Sequence, residues 1–260
     1  MIEEQEAALA AAFRMTIDGL GPWWGQPIAL PGLRLGCRAI RPGDEAHLLP
    51  GERERAGAAP STPGSPAEPL PAAAPLSPHR RAALRASGAA RRLAREMMVA
   101  SGHPAAPIPR AASGAPLFPS GLIGSLAHDE EMAVAALAPA GPGLSLGIDV
   151  EPFAPLTNEI AALVRQPGDI MPRELDPAHA ARLLFSAKEA IYKASFPLTG
   201  EVLGYEHIAC DLTQGTALIA SGQRLRLAFR LSPRIVVLAV AGMAEGPAAR
   251  GWRRIFQRGG

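Results

Sequence analysis

The sequence predicts an α+β protein of two similar lobes, each combining packed helices with a small, mainly antiparallel sheet. Two observations point there. Each half of the 260 residues offers helical periodicity and about three strand candidates. The strand candidates are separated by tight polar or Gly/Pro connections, and no strict internal repeat is present. The lobes are placed at residues 1–142 and 143–260.

The elements follow in order. Glu3 to Phe13 reads as a short amphipathic helix, Gly21 to Gly32 as a Pro/Gly-rich approach, and Leu33 to Ile40 as a strand. Residues 56–78 carry seven prolines among Ala, Ser and Gly, which predicts a flexible insertion without packed structure. A helix is predicted from Pro78 to Ala100. At about 100° per residue, Arg81, Arg85, Arg92 and Arg95 share one face, and Ala86, Ala90, Leu93, Ala94 and Met97 lie opposite. That arginine face reads equally as a solvated surface or as an anion site. Leu122 to His128, Met132 to Ala138 and Leu144 to Glu151 read as strands. Two helices follow, about Asn158 to Arg165 and Pro177 to Phe196, the second with Asp176 as N-cap and Pro177 at its first position. The end is β again: His207 to Leu212, Gln223 to Leu231 and Arg234 to Gly242. In the middle one, Leu225, Leu227, Phe229 and Leu231 alternate with arginines, as a half-buried strand requires.

Composition narrows the class. Nearly half the residues are apolar and the formal net charge is only +2, which argues against general disorder and against a nucleic-acid partner. Cys37 and Cys210 have no metal-ligand spacing and read as reduced thiols of a cytoplasmic protein. The start is acidic where a signal peptide would be basic. The longest apolar run, Ile235 to Ala244, is too short for a membrane span and is rich in β-branched residues, so a buried strand in a soluble protein is expected. Of the 26 basic residues only two are lysine, Lys188 and Lys193, five positions apart. A compact ammonium suits phosphate contact and proton transfer better than guanidinium does.

Three segments carry candidate chemistry. In Leu144 to Pro152 the apolar residues share one strand face, so Asp149 and Glu151 share the other. Paired carboxylates repel unless a cation sits between them, and their oxygens suit Mg²⁺. Gly147 would leave room there for a bulky ligand. Taken alone, D-x-E reads better as an exposed polar face. In Phe185 to Lys193, spacing of four puts Glu189 and Lys193 on one helix face, either as a functional pair or as a surface ion pair. Ser186 and Glu189 also fit a capping box, provided a helix starts there. Lys188 lies about 140° away from Lys193. The third segment, Pro116 to Asp129, has Gly121 and Gly124 for close backbone approach, with Ser125 and His128 to meet phosphate.

In this order the segments resemble the 4'-phosphopantetheinyl transferase superfamily, and specifically its enterobactin-synthetase-type branch. That branch carries an arginine-rich helix, then R…G-x-P-x-W-P-x-G-x-x-G-S-x-x-H, then G-I-D-x-E, then F-S-x-K-E-x-x-x-K. Here stand Arg110, Gly114 to Gly121, Gly124-Ser125-Leu126-Ala127-His128, Gly147-Ile148-Asp149-Val150-Glu151 and Phe185 to Lys193. The resemblance spans about residues 78 to 196. It implies a pseudo-dimer with coenzyme A between the lobes, and Asp149, Glu151 and Glu189 as Mg²⁺ ligands. Glu189 and Lys193 become the catalytic pair, Glu189 as candidate base and Lys193 on the phosphate side. Ser125, His128, Arg110, Arg91 and Arg81 become coenzyme A contacts. The implied acceptor is a carrier-protein serine, reached by a monomeric enzyme with no nucleic-acid partner and no stable membrane insertion. Phe118 stands where the family has tryptophan, and Asp129 follows His128 where a small neutral residue is typical, which puts an extra negative charge near a phosphate site. Two other readings stay open: a Mg²⁺ nuclease, and a non-catalytic module that binds coenzyme A or a carrier.

Overall fold

The structure, a computed structural model, describes residues 1–17, 24–25, 28–52 and 77–242. Four helices are present among them: α1 (Ile2–Ile17), α2 (Pro78–Ala100), α3 (Asn158–Val164) and α4 (Pro177–Thr199). The strands are β1 (Trp24–Gly25), β2 (Arg34–Ala39), β3 (Leu122–His128), β4 (Met132–Pro139), β5 (Ser145–Pro152), β6 (Ile208–Asp211), β7 (Thr216–Ile219), β8 (Arg224–Arg230) and β9 (Arg234–Ala241). They make two antiparallel sheets. One is β2-β4-β3, and the other runs β5-β9-β8-β7-β6, with the two-residue β1 paired to β8. The α+β class with a helix on each sheet holds, but the sheets are unequal.

Each long helix covers one sheet through its small residues. On α2, Ala86, Ala90, Leu93, Ala94 and Met97 are buried as the periodicity requires. Ser77 caps this helix, its hydroxyl accepting from the Arg80 N–H at 3.2 Å, and Pro78 is its first residue. The last two positions of the proposed 56–78 insertion therefore belong to the helix start, and the rest lie outside the described residues.

A shared apolar layer joins the sheets. Leu146, Ile148 and Val150 of β5 and Val236, Leu238 and Val240 of β9 pack with Val134, Ala136 and Phe13 in one core. The alternate residues of β9, Ile235, Val237 and Ala239, pack with Leu183, Ala187 and Ile191 of α4 in another. Strand β9 is thus buried on both faces, as its unbroken apolar run predicted. Each such aliphatic side chain contributes about 1.5–3 kcal/mol by leaving water. Among the described residues no helix is long and apolar enough to cross a membrane.

Two features differ from expectation. Strand β7 follows an Asx turn in which Asp211 Oδ1 accepts from the backbone N–H groups of Thr213 and Gln214. Four residues give too little alternation to read from sequence. Three arginines of the α2 face also have partners rather than standing bare in solvent. Arg85 pairs with Glu45 at 3.3 Å, Arg95 with buried Glu52 at 2.7 Å, and Arg92 bonds His47 at 2.8 Å. These contacts fasten the segment 44–52 across the helix.

Candidate active site

The site begins where α4 crosses β5. A Cβ built on Gly147 would lie 1.8 Å from the Ala190 carbonyl oxygen and 2.7 Å from the Ala194 nitrogen. The space read as room for a ligand is filled by the helix backbone. Only glycine on the strand, facing Ala190 and Ala194, permits that approach, and it brings the carboxylate face of β5 against the Glu189–Lys193 face of α4. Helix α4 is unbroken from its cap at Asp176, whose carboxylate accepts from the Ala178 N–H at 3.0 Å. Ser186 is therefore interior and fully buried, which removes the capping-box reading.

Lys193 does not pair with Glu189. Its Nζ donates to Asp149 Oδ1 at 2.6 Å and to the Ile148 carbonyl at 3.3 Å, reaching across to the strand. Glu189 instead accepts from the Tyr205 hydroxyl at 3.3 Å. Glu151 Oε2 is held by Arg182 Nη1 at 2.8 Å. The surface ion-pair reading fails with these partners.

The electrostatics show crowding of like charge. Burial, then the nearby charge of Asp149, raises the Glu189 carboxyl above its ordinary range, against Lys193 and Tyr205. Burial and Asp149 likewise raise Glu151, against Arg182. The Tyr205 hydroxyl is pushed up to about 12 by burial and then by Glu189. Asp149 itself is buried, and its Oδ2 has no hydrogen-bond partner. An orphaned carboxylate oxygen beside two carboxyls that resist ionisation suits a hard cation, which would relieve all three. The donor set therefore fits Mg²⁺ in chemistry. Among the described residues, however, no three His, Cys, Asp or Glu side chains are already closed around a common point. Lys193 and Arg182 occupy Asp149 and Glu151.

In front of this cluster lies a cleft of about 410 Å³, within the range of small-molecule sites, walled by α2, the segment 110–116, β3 and α4. Arg91, Arg110, His128, Glu189, Tyr192 and Lys193 line it, while Asp149 and Glu151 are not among its lining residues. Arg91 is buried. Its Nε donates to the Ile108 carbonyl at 2.8 Å, and its Nη1 donates to Ser87 Oγ at 2.6 Å. Arg110 Nη2 donates to the same oxygen at 3.0 Å. Burial, then the charge of Arg110, lowers Arg91 to about 10, so it stays protonated at neutral pH. Two guanidinium groups held together at the cleft wall favour an anion.

The other expected contacts divide. His128 sits at the mouth, where loss of water and then the charge of Lys193 hold its imidazole below the usual range. Ser125 lines the cleft, but its buried hydroxyl accepts from the Ile148 N–H at 3.0 Å and ties β3 to β5. Arg81 is exposed near the start of α2 and is not among the lining residues. Phe118 packs over Gly124, where a Cβ would meet its ring at 2.4 Å, so that glycine admits a side chain rather than a ligand.

Several site residues were missed. Arg182 lies seven positions before Glu189, a spacing that keeps one helix face, so it was there to be found. Ser87 sits one turn before Arg91. Tyr205 and Arg234, which pairs with Asp129, come from distant loops and strands and give no local signal.

The structure thus holds a cleft lined by Arg91 and Arg110 with clustered carboxylates beside it. Residues 73–138 match the model of the 4'-phosphopantetheinyl transferase N-terminal domain, and residues 145–241 match that of the 4'-phosphopantetheinyl transferase superfamily. The chain belongs to that superfamily. It is 40% identical over 123 residues to the 4'-phosphopantetheinyl transferase Svp of Streptomyces mobaraensis, covering 44% of this chain and 50% of that protein. It is 40% identical over 140 residues to Npt of Nocardia iowensis, covering 51% and 62%. It is 42% identical over 108 residues to PptT of Mycobacterium tuberculosis, covering 40% and 48%. The aligned stretch thus spans about half to three-fifths of each relative's length.

Proposed function

We propose that this chain transfers the 4'-phosphopantetheine group of coenzyme A to a serine of an apo carrier protein, releasing adenosine 3',5'-bisphosphate. The observation that carries the reading is the Lys193–Asp149 contact beside Glu189, at the floor of a cleft lined by Arg91, Arg110 and His128. Asp149, Glu151 and Glu189 are the residues that would hold Mg²⁺. When bound there, the ion supplies charge neutralisation on the pyrophosphate.

The chain's own groups do the rest. Arg91, Arg110 and His128 give the cleft the positive wall that a polyanionic cosubstrate needs, with the forked guanidinium groups suited to phosphate oxygens. Ser125 supports the wall by fixing β3 against β5. Glu189, its affinity for a proton raised by burial and Asp149, is the base for the serine hydroxyl. Lys193 stabilises or protonates the departing phosphate. In this reading the lobes are residues 1–142 and 143–260 with the site between them, and the enzyme is a monomer of the cytoplasm. The acceptor in this reading is an acidic helical carrier domain. We read the motif order as that of the enterobactin-synthetase-type branch, which would suit siderophore or nonribosomal peptide synthesis.

The test is direct. Incubation with coenzyme A, Mg²⁺ and an apo carrier should add the mass of one phosphopantetheine to the carrier serine. Coenzyme A binding without modification would support a non-catalytic module instead, and cleavage of a nucleic acid would support a nuclease.

A further inference from the structure

Asp129 is a misfit by sequence, since it places a carboxylate one residue beyond His128 at the mouth of an anion cleft. The structure supplies a counterpart. Asp129 Oδ1 accepts from the Glu131 and Met132 N–H groups at 2.8 Å each, which closes the β3–β4 turn. Its other oxygen, Oδ2, is taken by Nη1 of Arg234, and Nη2 of the same guanidinium holds Glu131. Arg234 opens β9 in the other sheet and pairs across the backbone with Pro152, next to Glu151. Arg234 and Asp129 are both nearly sealed from water, with side chains 6% and 9% exposed.

Asp129 follows His128 directly, and its partner Arg234 sits in register with Pro152, beside Glu151. The Asp129 charge is felt by both His128 and Glu151. A bare carboxylate there would oppose a polyanion at His128 and add to the carboxylate crowding around Glu151. In a low-dielectric setting that repulsion is poorly screened.

We propose that Arg234 is a positioning residue of the cleft, whose guanidinium neutralises Asp129 and so lets a polyphosphate ligand occupy the His128 end. The inference rests on the coenzyme A reading of the site. It assigns a role to a residue more than a hundred positions from His128, outside the motifs of the sequence. The competing account is that the Arg234 cluster only staples the β3–β4 turn to β9.

A double-mutant cycle separates them. Coenzyme A binding is measured by calorimetry in the presence of Mg²⁺, with a thermal melt alongside, for the full chain and for Arg234→Met, Asp129→Asn and the double variant. The proposal expects Arg234→Met to weaken binding by about tenfold or more, and Asp129→Asn in that background to restore most of the loss. A staple alone would lower the melting temperature of Arg234→Met and leave the dissociation constant unchanged. Unchanged binding, or a loss that Asp129→Asn does not restore, overturns the proposal. If Arg234→Met does not melt cooperatively, Arg234→Lys takes its place. Because charge is what counts, lysine should stay within about threefold of the parent chain, and a tenfold loss overturns the charge role. Failure of the parent chain itself to bind coenzyme A would instead bring down the functional reading, and this inference with it.

Discussion

The two faces of α4 carry the chain's two lysines, and they differ in what surrounds the ammonium. On the inner face Lys188 is sealed. Its Nζ pairs with Asp169 Oδ2 at 2.8 Å and donates to the Val164 and Tyr205 carbonyls at 3.0 and 3.1 Å, so all three donors are committed. Asp169 is equally satisfied, accepting from the Cys210 and Gln166 N–H groups. On the other face Lys193 stands in the cleft wall, and the Asp149 it touches keeps an unsatisfied oxygen. One ion pair is complete and closed to water, while the other is incomplete and open to a ligand. Proximity in sequence suggested a shared role for the lysines, and burial separates them.

The largest expected effect lies on the sealed face. Lys188→Ala leaves Asp169 charged and buried without its cation, a loss of about 3–5 kcal/mol. Chemical denaturation should show it as a lower midpoint with a similar slope, and an unchanged midpoint would mean the pair contributes nothing. On the open face Asp149→Ala should abolish transfer. Asp149 is buried rather than solvent-facing, yet its removal also relieves the repulsion that raises Glu151 and Glu189. The melting temperature should therefore hold or rise, and a large fall would show that Asp149 is a packing residue.

A smaller effect follows from the sign of the Glu189 shift. A carboxyl with a raised folded-state pKa binds more protons folded than unfolded, so its ionisation costs stability as pH rises through the window above the ordinary carboxylate value. Glu189→Gln removes that cost and can still accept from Tyr205. Without Mg²⁺ it should melt higher than the parent at neutral pH, by a few degrees at most, and the gap should vanish near pH 4. A gap of the same size at both values would exclude charge as the cause.

How far the sequence reached depends on the range of the interaction. Helix α2, the cap at Asp176, the alternation of β8 and the doubly buried β9 were legible because periods of 3.6 and 2 act locally. The shared face of Asp149 and Glu151 was legible for the same reason. Gly147 was misread because its neighbour, the backbone of α4, lies more than forty residues on. The arginines of α2 showed their common face but not their partners Glu45 and Glu52, which arrive from an earlier segment. Lys188 on Asp169 and Arg234 on Asp129 depend wholly on tertiary pairing.

The most direct test compares one conservative change at both lysines, with transfer rate and melting temperature measured on the same samples. Lys193→Arg keeps the charge but replaces a compact donor with a planar fork. Turnover should fall by at least about tenfold, near 1.4 kcal/mol, with melting almost unchanged. Lys188→Arg forces extra volume into a full core, so melting should fall by the equivalent of about 1–3 kcal/mol, while the enzyme that remains folded keeps most of its turnover. Small and equal effects at the two positions, or a turnover loss at Lys188 that matches the one at Lys193, would contradict the division of α4 into a structural and a catalytic face.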